Sequence, residues 1–421
     1  MTLLILSCLL LNARSSIKFL LISTLPASEL VFVGSVDLMM YFLQVIGRAA
    51  GSSMQVILVQ HQVTRHVQMA SNLLTVGVTS IVSMFCFVLY LKPYWLVVWH
   101  KGFLSSEQLN YLSMILIASS IEVACELMMS NRAAKKQAGI VALSSLMAFL
   151  GPAYYGVALM IGVLDQISLS FLGQLFLTTA LARALIFIPG IIKGGVGIAD
   201  SSALTSKILR NSWPLIILGF CDHLGTVMMY RVAGSIMDTL SMSYVYLLFN
   251  LLGMVPGMGL AMAAINSVGS ALGGAISSLY QEGKRMAINI SILSLFCVVL
   301  LLFARDAVFR EVFVDTELIG AFYVLMLCLP FHIGAQVMTK GLLTLDQGGA
   351  AAIINLAWPY GLKLPLLIVL AWVGQLSLLT FWIVVLLEKA AKYMHLMAWW
   401  YITLRRLEGR GCDPLRKRLY I

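Results

Sequence analysis

This sequence is short of charge. Asp, Glu, Lys and Arg together make up 11% of its 421 residues, against 60% apolar residues and a mean hydropathy of +0.94. Soluble chains carry about 25% charged residues. No soluble core could hide this much apolar surface, so lipid is the solvent for most of the chain. Strand-like alternation is missing as well. The apolar stretches are long and continuous, which argues against a barrel and for helices of ~20 residues each. Cysteine pairs are missing: Cys8, Cys86, Cys125, Cys221, Cys297 and Cys328 lie in apolar stretches, Cys412 lies in the tail, and no CxxC occurs. They act as small apolar residues, and neither a disulfide framework nor a zinc site is expected. A phosphate loop is missing too. The Gly-rich stretch of Gly253, Pro256, Gly257, Gly259, Gly269, Gly273 and Gly274 lacks the GxxxxGK[ST] pattern. A signal peptide carries its positive charge before the apolar run. Here Arg14 and Lys18 follow the apolar residues 1–11, so these residues are read as the start of the first helix or an amphipathic lead into it.

What is present is about twelve apolar spans. Their cores are 7–33, 36–60, 69–91, 109–129, 138–162, 168–190, 213–234, 240–272, 286–304, 318–340, 351–373 and 376–402. Three short matches recur in order. Gly47-x-x-x-Gly51 is matched by Gly253-x-x-x-Gly257, Tyr155-Gly156 by Tyr360-Gly361, and Gln166-Ile167-Ser168-Leu169 by Gln375-Leu376-Ser377-Leu378. An internal repeat of this kind is common in secondary transporters, whose substrate sites lie near the midplane between repeats. The expected fold is an all-α integral membrane protein of two pseudo-symmetric six-helix bundles around a central cleft. The bundles are 1–192 and 213–402, with a cytoplasmic linker at 193–212 and a basic cytoplasmic tail at 403–421.

The net charge of +10 follows the loops rather than a nucleic-acid face. Loops after even-numbered spans hold Arg65, then Arg132, Lys135 and Lys136, then Lys193, Lys207 and Arg210, then Lys284 and Arg285; the tail adds six more basic residues. By the positive-inside rule both termini lie in the cytoplasm, and a bacterial inner membrane is the expected home.

An ionisable residue within a span costs at least ~2.5–3.5 kcal/mol, so each needs a reason. Asp222 lies inside the seventh span, beside His223. It is read first as a carrier of a proton or sodium ion and second as the partner of Arg231. Glu29, near the end of the first span, is either an interfacial carboxylate or a functional one. Asp37 follows an expected turn and is read as solvated, with cation or proton coupling, alongside Asp222 and Glu29, as its functional reading. Glu122 and Glu126 share one helix face at i, i+4. They form either a cation path or, through Glu126, a pair with Arg132. Arg48, Arg183 and Lys363 are candidate counter-ions or snorkelling residues. His332 in the tenth span is a titratable candidate, with a packing role as its plainer reading. Glu388, with Lys389 and Lys392, is read as an interface group. Gly253, Gly257, Pro256 and Pro359 are candidate packing and hinge positions; Pro256 would kink the eighth span.

On these residues the chain resembles the multidrug and toxic compound extrusion (MATE) family, in the larger group of MATE, polysaccharide and lipid flippase exporters. Trp213-Pro214-Leu215-Ile216 followed by Asp222 is similar to the family's seventh helix. Met254 to Leu260, then Ala264, Val268-Gly269 and Leu272-Gly273, is similar to its eighth, and Asn355 to Pro365 to its eleventh. Glu29-Leu30-Val31-Phe32-Val33-Gly34 takes the place of an Asp-x-x-x-Val-Gly signature, and Gly51 to Gln60 fits the end of the second helix. The likeness spans nearly the whole chain and favours the NorM-like over the DinF-like branch. It implies two six-helix bundles, alternating access, and cation-coupled export of amphipathic, often cationic compounds, with Asp222 at the coupling position. Two departures stand out: Glu29 replaces Asp, and the tenth span carries His332 where the NorM-like pattern has an acid. His is a poor sodium ligand, so proton coupling is favoured over sodium at Asp222.

The expected function is therefore an ion-driven exporter working as a monomer in lipid, with no cofactor beyond H+ or Na+. Small, mainly cationic organic molecules are its expected partners. A flippase for lipid-linked oligosaccharides is the alternative; a strongly basic cavity would favour it. An intramembrane enzyme using His332 or His223 ranks lower, because no HExxH motif or clustered nucleophile set appears. A non-transporting receptor would leave the internal repeat unexplained.

Overall fold

The computed structural model of the chain describes residues 2–22, 25, 27–60, 65–91, 104–163, 167–189, 202–253, 255, 257–272, 276–307 and 315–409. Among these residues every regular element is helical. The first unit, Met1–Ile216, and the second, Ile217–Ile421, are separate compact bodies. Seven stretches of described helix are long and apolar enough to cross a membrane, which fits the all-α membrane fold read from the sequence.

The first part of the chain contains α1 (Thr2–Ile22), α2 (Ala27–Gln60), α3 (Arg65–Leu91), α4 (Ser106–Ala134), α5 (Ala138–Met160) and α6 (Leu169–Leu185). Helix α4 is the central post and packs on α2, α3, α5 and α6. Leu112, Ile115, Leu116 and Val123 recur at helical spacing and are buried, so one apolar stripe faces the neighbours. Close approach of α2 and α4 depends on two glycines. A Cβ on Gly47 would meet the Val123 backbone at 3.3 Å, and one on Gly51 would meet the Glu126 carbonyl at 3.2 Å.

The rest of the chain contains α7 (Ser202–Gly234), α8 (Thr239–Gly253), α9 (Gly257–Ala271), α10 (Ile276–Ala307), α11 (Thr316–Thr344), α12 (Gly348–Trp358), a π turn (Pro359–Lys363), α13 (Leu364–Trp372) and α14 (Leu378–Gly409). Here α11 is the central post, packed on α8, α9, α10, α12 and α14.

The repeat is written in the turns. Lys136 and Asp346, 210 positions apart, both have positive φ (59° and 58°). Gln137 N–H bonds the Arg132 carbonyl, and Gln347 N–H bonds that of Leu342, at 2.9 Å each. Gly162 and Gly374, 212 apart, both have φ +72°. Ser105 and Asp315 cap the two posts. Ser168 and Ser377, 209 apart, each accept a bond from the third residue on. This register corrects two of the three sequence matches. Gly47 corresponds to Gly257, since each lies against position 123 or its counterpart 333 on the post. Tyr155 and Tyr360 are not counterparts either. Only the third match sits in the structural register, at its described Ser168-Leu169 and Ser377-Leu378 positions.

Three boundaries also move. The first break falls between Ile22 and Ala27, not after residue 33; the sequence has a proline at position 26, a residue a helix interior does not tolerate. Residues 202–212, expected in a linker, are the first turns of α7. The eighth span is divided between Gly253 and Gly257; Pro256 itself lies outside the described residues.

Candidate functional site

Each unit carries ionisable groups inside its helices. In the first, Arg14 on α1 donates to Glu122 at 2.6 Å. Arg183 on α6 donates to the other Glu122 oxygen and lies 3.4 Å from Glu126. The Met129 sulfur is 3.2 Å from the same guanidinium. Arg183 is 1% exposed. Lys18 pairs with Asp37 at 2.5 Å, and the Phe176 ring receives Lys18 at 4.8 Å and Arg14 at 6.0 Å. Two arginines thus meet two glutamates, and one lysine meets one aspartate. Burial of such groups is tolerable only because each has a partner.

This arrangement revises several sequence readings. Glu126 does not pair with Arg132, which bonds Gln137 instead. Asp37 follows no turn; it sits within the continuous α2, half-buried and paired. Glu29 stands in the first turn of α2 rather than near the end of the first helix. There its negative charge complements the helix dipole.

The second unit is built differently. Positions 332 and 336 on α11 are the counterparts of Glu122 and Glu126 on α4, and they hold His332 and Gln336. The two side chains meet at 3.0 Å. Arg183 has Lys392 as its counterpart. Lys392 lies 2.8 Å and Lys389 3.1 Å from Glu388, which is 0% exposed. Glu388 is thus held between two ammonium groups of its own helix. Lys363, in the π turn and 5% exposed, also acts electrostatically on Glu388. Glu388 was expected at the membrane interface. It instead lies in the half of α14 away from the tail, fully buried.

The π turn has an identifiable cause. The repeat offset is 210 before it and 212 after it, so two residues are inserted here, and a wide turn absorbs them. The turn carries Tyr360, whose hydroxyl donates to the Cys221 carbonyl on α7. Pro359 opens the turn, Lys363 closes it, and Gly225 packs on the Tyr360 ring. Asp222 and His223 follow Cys221 in α7; their side chains lie outside the described residues. Sequence reasoning singled out neither Gln336 nor Tyr360 as site residues. A repeat register of 210 would have marked Gln336, and the two-residue surplus would have marked the π turn. Among the described residues no cluster of His, Cys, Asp and Glu is arranged to hold a metal ion.

No protein-family model matches the sequence, and no curated protein matches it. Solved structures do. An outward-facing multidrug resistance MATE family transporter of the MOP superfamily matches over 97% of this chain and 95% of its own, with a TM-score of 0.80 at 13% identity. A MATE protein in a bent conformation matches over 100% and 95%, with a TM-score of 0.79 at 13% identity. A MOP superfamily transporter from Pyrococcus furiosus, described as having a binding pocket of reversed polarity, matches over 96% of each chain, with a TM-score of 0.72 at 13% identity. The chain therefore has the all-α membrane fold of these transporters.

Proposed function

We propose that this chain is a secondary active exporter of the MOP superfamily. It moves amphipathic or cationic small organic molecules by alternating access, in antiport with a cation. The observation that carries this reading is the likeness of nearly the whole chain to MATE transporters. The internal repeat supports it independently, and the ion gradient is the energy source for a sequence without a phosphate loop.

Asp222 is the coupling residue in this reading. Glu122 and Glu126 are held by Arg14 and Arg183, which makes them poor carriers of a mobile cation. Glu388 is likewise held, by Lys389 and Lys392, and Asp222 is a further acid inside a span. Deprotonated, it favours a cationic substrate; protonation from outside releases that substrate and resets the cycle. His332 at the tenth-helix position favours H+ over Na+. The protein works as a monomer in the bacterial inner membrane with both termini in the cytoplasm. A lipid-linked oligosaccharide flippase is the second reading, favoured by the lysines gathered around Glu388.

The test is dye efflux from proteoliposomes under an imposed pH gradient, then a sodium gradient, for wild type and Asp222→Asn. Proton-driven flux lost in the variant is the expected result. Flux driven by sodium alone would overturn the choice of ion. Unchanged flux in the variant would remove Asp222 from the mechanism.

A further inference from the structure

The two units build the same turn with opposite charge. Residues 135–137 join α4 to α5, and residues 345–347 join α11 to α12. The two turns share their backbone, with Lys136 and Asp346 at the positive-φ position and a matching Gln N–H bond after it. At the offset of 210, Arg132, Lys135 and Lys136 stand where the second unit has Leu342, Leu345 and Asp346. Three cations in five residues thus correspond to one acid and no cation. The turn forms either way, so the fold does not call for these charges.

Little in the first unit answers them. Arg132 donates to the Gln137 side-chain oxygen at 2.7 Å, a neutral acceptor. Among the described residues no ion pair joins Arg132, Lys135 or Lys136 to an acid. Lys135 is half-buried. Burial, with repulsion from Arg132 added, pushes its ammonium down to about 8. The helix dipoles give no net relief, because the negative end of α4 and the positive end of α5 meet in this one turn. Membrane topology accounts for the sign of the charges. It does not account for a half-buried ammonium set beside a guanidinium.

The surface next to the turn is apolar. Helices α4 and α5 are both long and apolar enough to cross a membrane, so the turn between them lies at headgroup depth. Lys136 is exposed. Three residues on, Gly139 begins an open face of α5, with nothing within 4 Å of a virtual Cβ. Leu143, Leu146, Met147, Leu150 and Tyr154 continue that face, all exposed and three or four residues apart. From Leu143 to Tyr154 it runs about 16 Å, one leaflet of a ~30 Å hydrocarbon core.

We propose that Arg132, Lys135 and Lys136 bind the phosphate of an anionic phospholipid of the surrounding bilayer, with an acyl chain along the exposed face of α5. A guanidinium beside two ammonium groups suits a phosphodiester, and basic residues at the membrane edge attract anionic headgroups. The apolar face commits the site to a lipid, since a free phosphate would gain nothing from it. The site goes beyond the transport reading and does not depend on the choice of Asp222.

The test is native mass spectrometry of the full chain in a neutral detergent, titrated with phosphatidylglycerol and, separately, with phosphatidylcholine. One phosphatidylglycerol should bind ahead of any other lipid. The double variant Lys135→Gln/Lys136→Gln should weaken that first binding by about tenfold or more and leave phosphatidylcholine unchanged. Lys135→Arg/Lys136→Arg should retain it, because the charge is kept. Lys284→Gln/Arg405→Gln, which removes two exposed cations of the second unit, should also retain it. Unchanged phosphatidylglycerol affinity in the glutamine variant would overturn the proposal. Equal loss in Lys284→Gln/Arg405→Gln would do so too, by showing an effect of net charge rather than of a site. Displacement of the lipid by inorganic phosphate at equal concentration would overturn the lipid assignment, because the face of α5 would then contribute nothing. If the double glutamine variant does not fold, Lys136→Glu at the exposed position replaces it, read for the same loss.

Discussion

At the scale of residues, the best-defined feature is Arg183, buried between Glu122 and Glu126. Removing one member of a buried ion pair strands its partner in a medium that solvates it poorly, at a cost of about 3–5 kcal/mol. Arg183→Gln should therefore lower the melting temperature in detergent sharply. The double variant Glu122→Gln/Arg183→Gln should recover a large part of the loss, because Arg14 and Glu126 then remain as equal and opposite charges. A double variant no more stable than Arg183→Gln alone would mean that packing, not charge, makes Arg183 important. The sequence singled out Glu122, Glu126 and Arg183 by type and spacing. It did not bring Arg14 to them, since that contact joins residues 108 positions apart, and only the packing of α1 into the unit creates it.

At the scale of elements, the central posts decide how closely neighbours approach. A Cβ on Gly334 of α11 would meet the Tyr393 ring of α14 at 2.6 Å at Cδ2. A ring wedged between helices cannot swing aside as a chain end can, so Gly334→Ala should destabilise by about 1–3 kcal/mol. Gly361, in the π turn, has nothing within 4 Å of its virtual Cβ, and Gly361→Ala should be neutral or gain up to about 1 kcal/mol through lost chain entropy. Thermal shift of the two variants side by side checks the contrast; equal effects would contradict it. Element existence was largely legible in the sequence, because ~20-residue apolar runs have one structural answer in lipid. The break between α1 and α2 was not. An apolar run continues across it, and only Pro26 marks the place. The π turn was hidden for a related reason: an insertion of two residues changes no hydropathy.

At the scale of the whole molecule, the same parts recur 209 to 212 positions apart, and the short sequence matches revealed the repeat without its true register. Gly-x-x-x-Gly and Tyr-Gly are common enough in apolar helices to align by chance. The capping serines Ser168 and Ser377 are held in register by the helix starts they cap, so the Ser-Leu pair of the third match was the one that survived. The repeat makes a quantitative claim that chance similarity would not. Glu107, in the first turn of α4, accepts from Ser170 N–H at 3.4 Å, and Glu317, its counterpart on α11, accepts from Leu378 N–H at 3.1 Å. Each satisfies an amide at the start of a sixth helix that would otherwise have no intrahelical partner. Each bond is worth about 1 kcal/mol, with Glu317 expected slightly ahead because its bond is shorter. Glu107→Gln and Glu317→Gln should therefore lower stability by similar amounts. Because the two caps belong to different units and share no partner, the double variant should show the sum of the single losses. The check is the melting temperature of the four proteins in one detergent. A large loss from one variant and none from the other would mean that the repeat is one of shape without shared energetics.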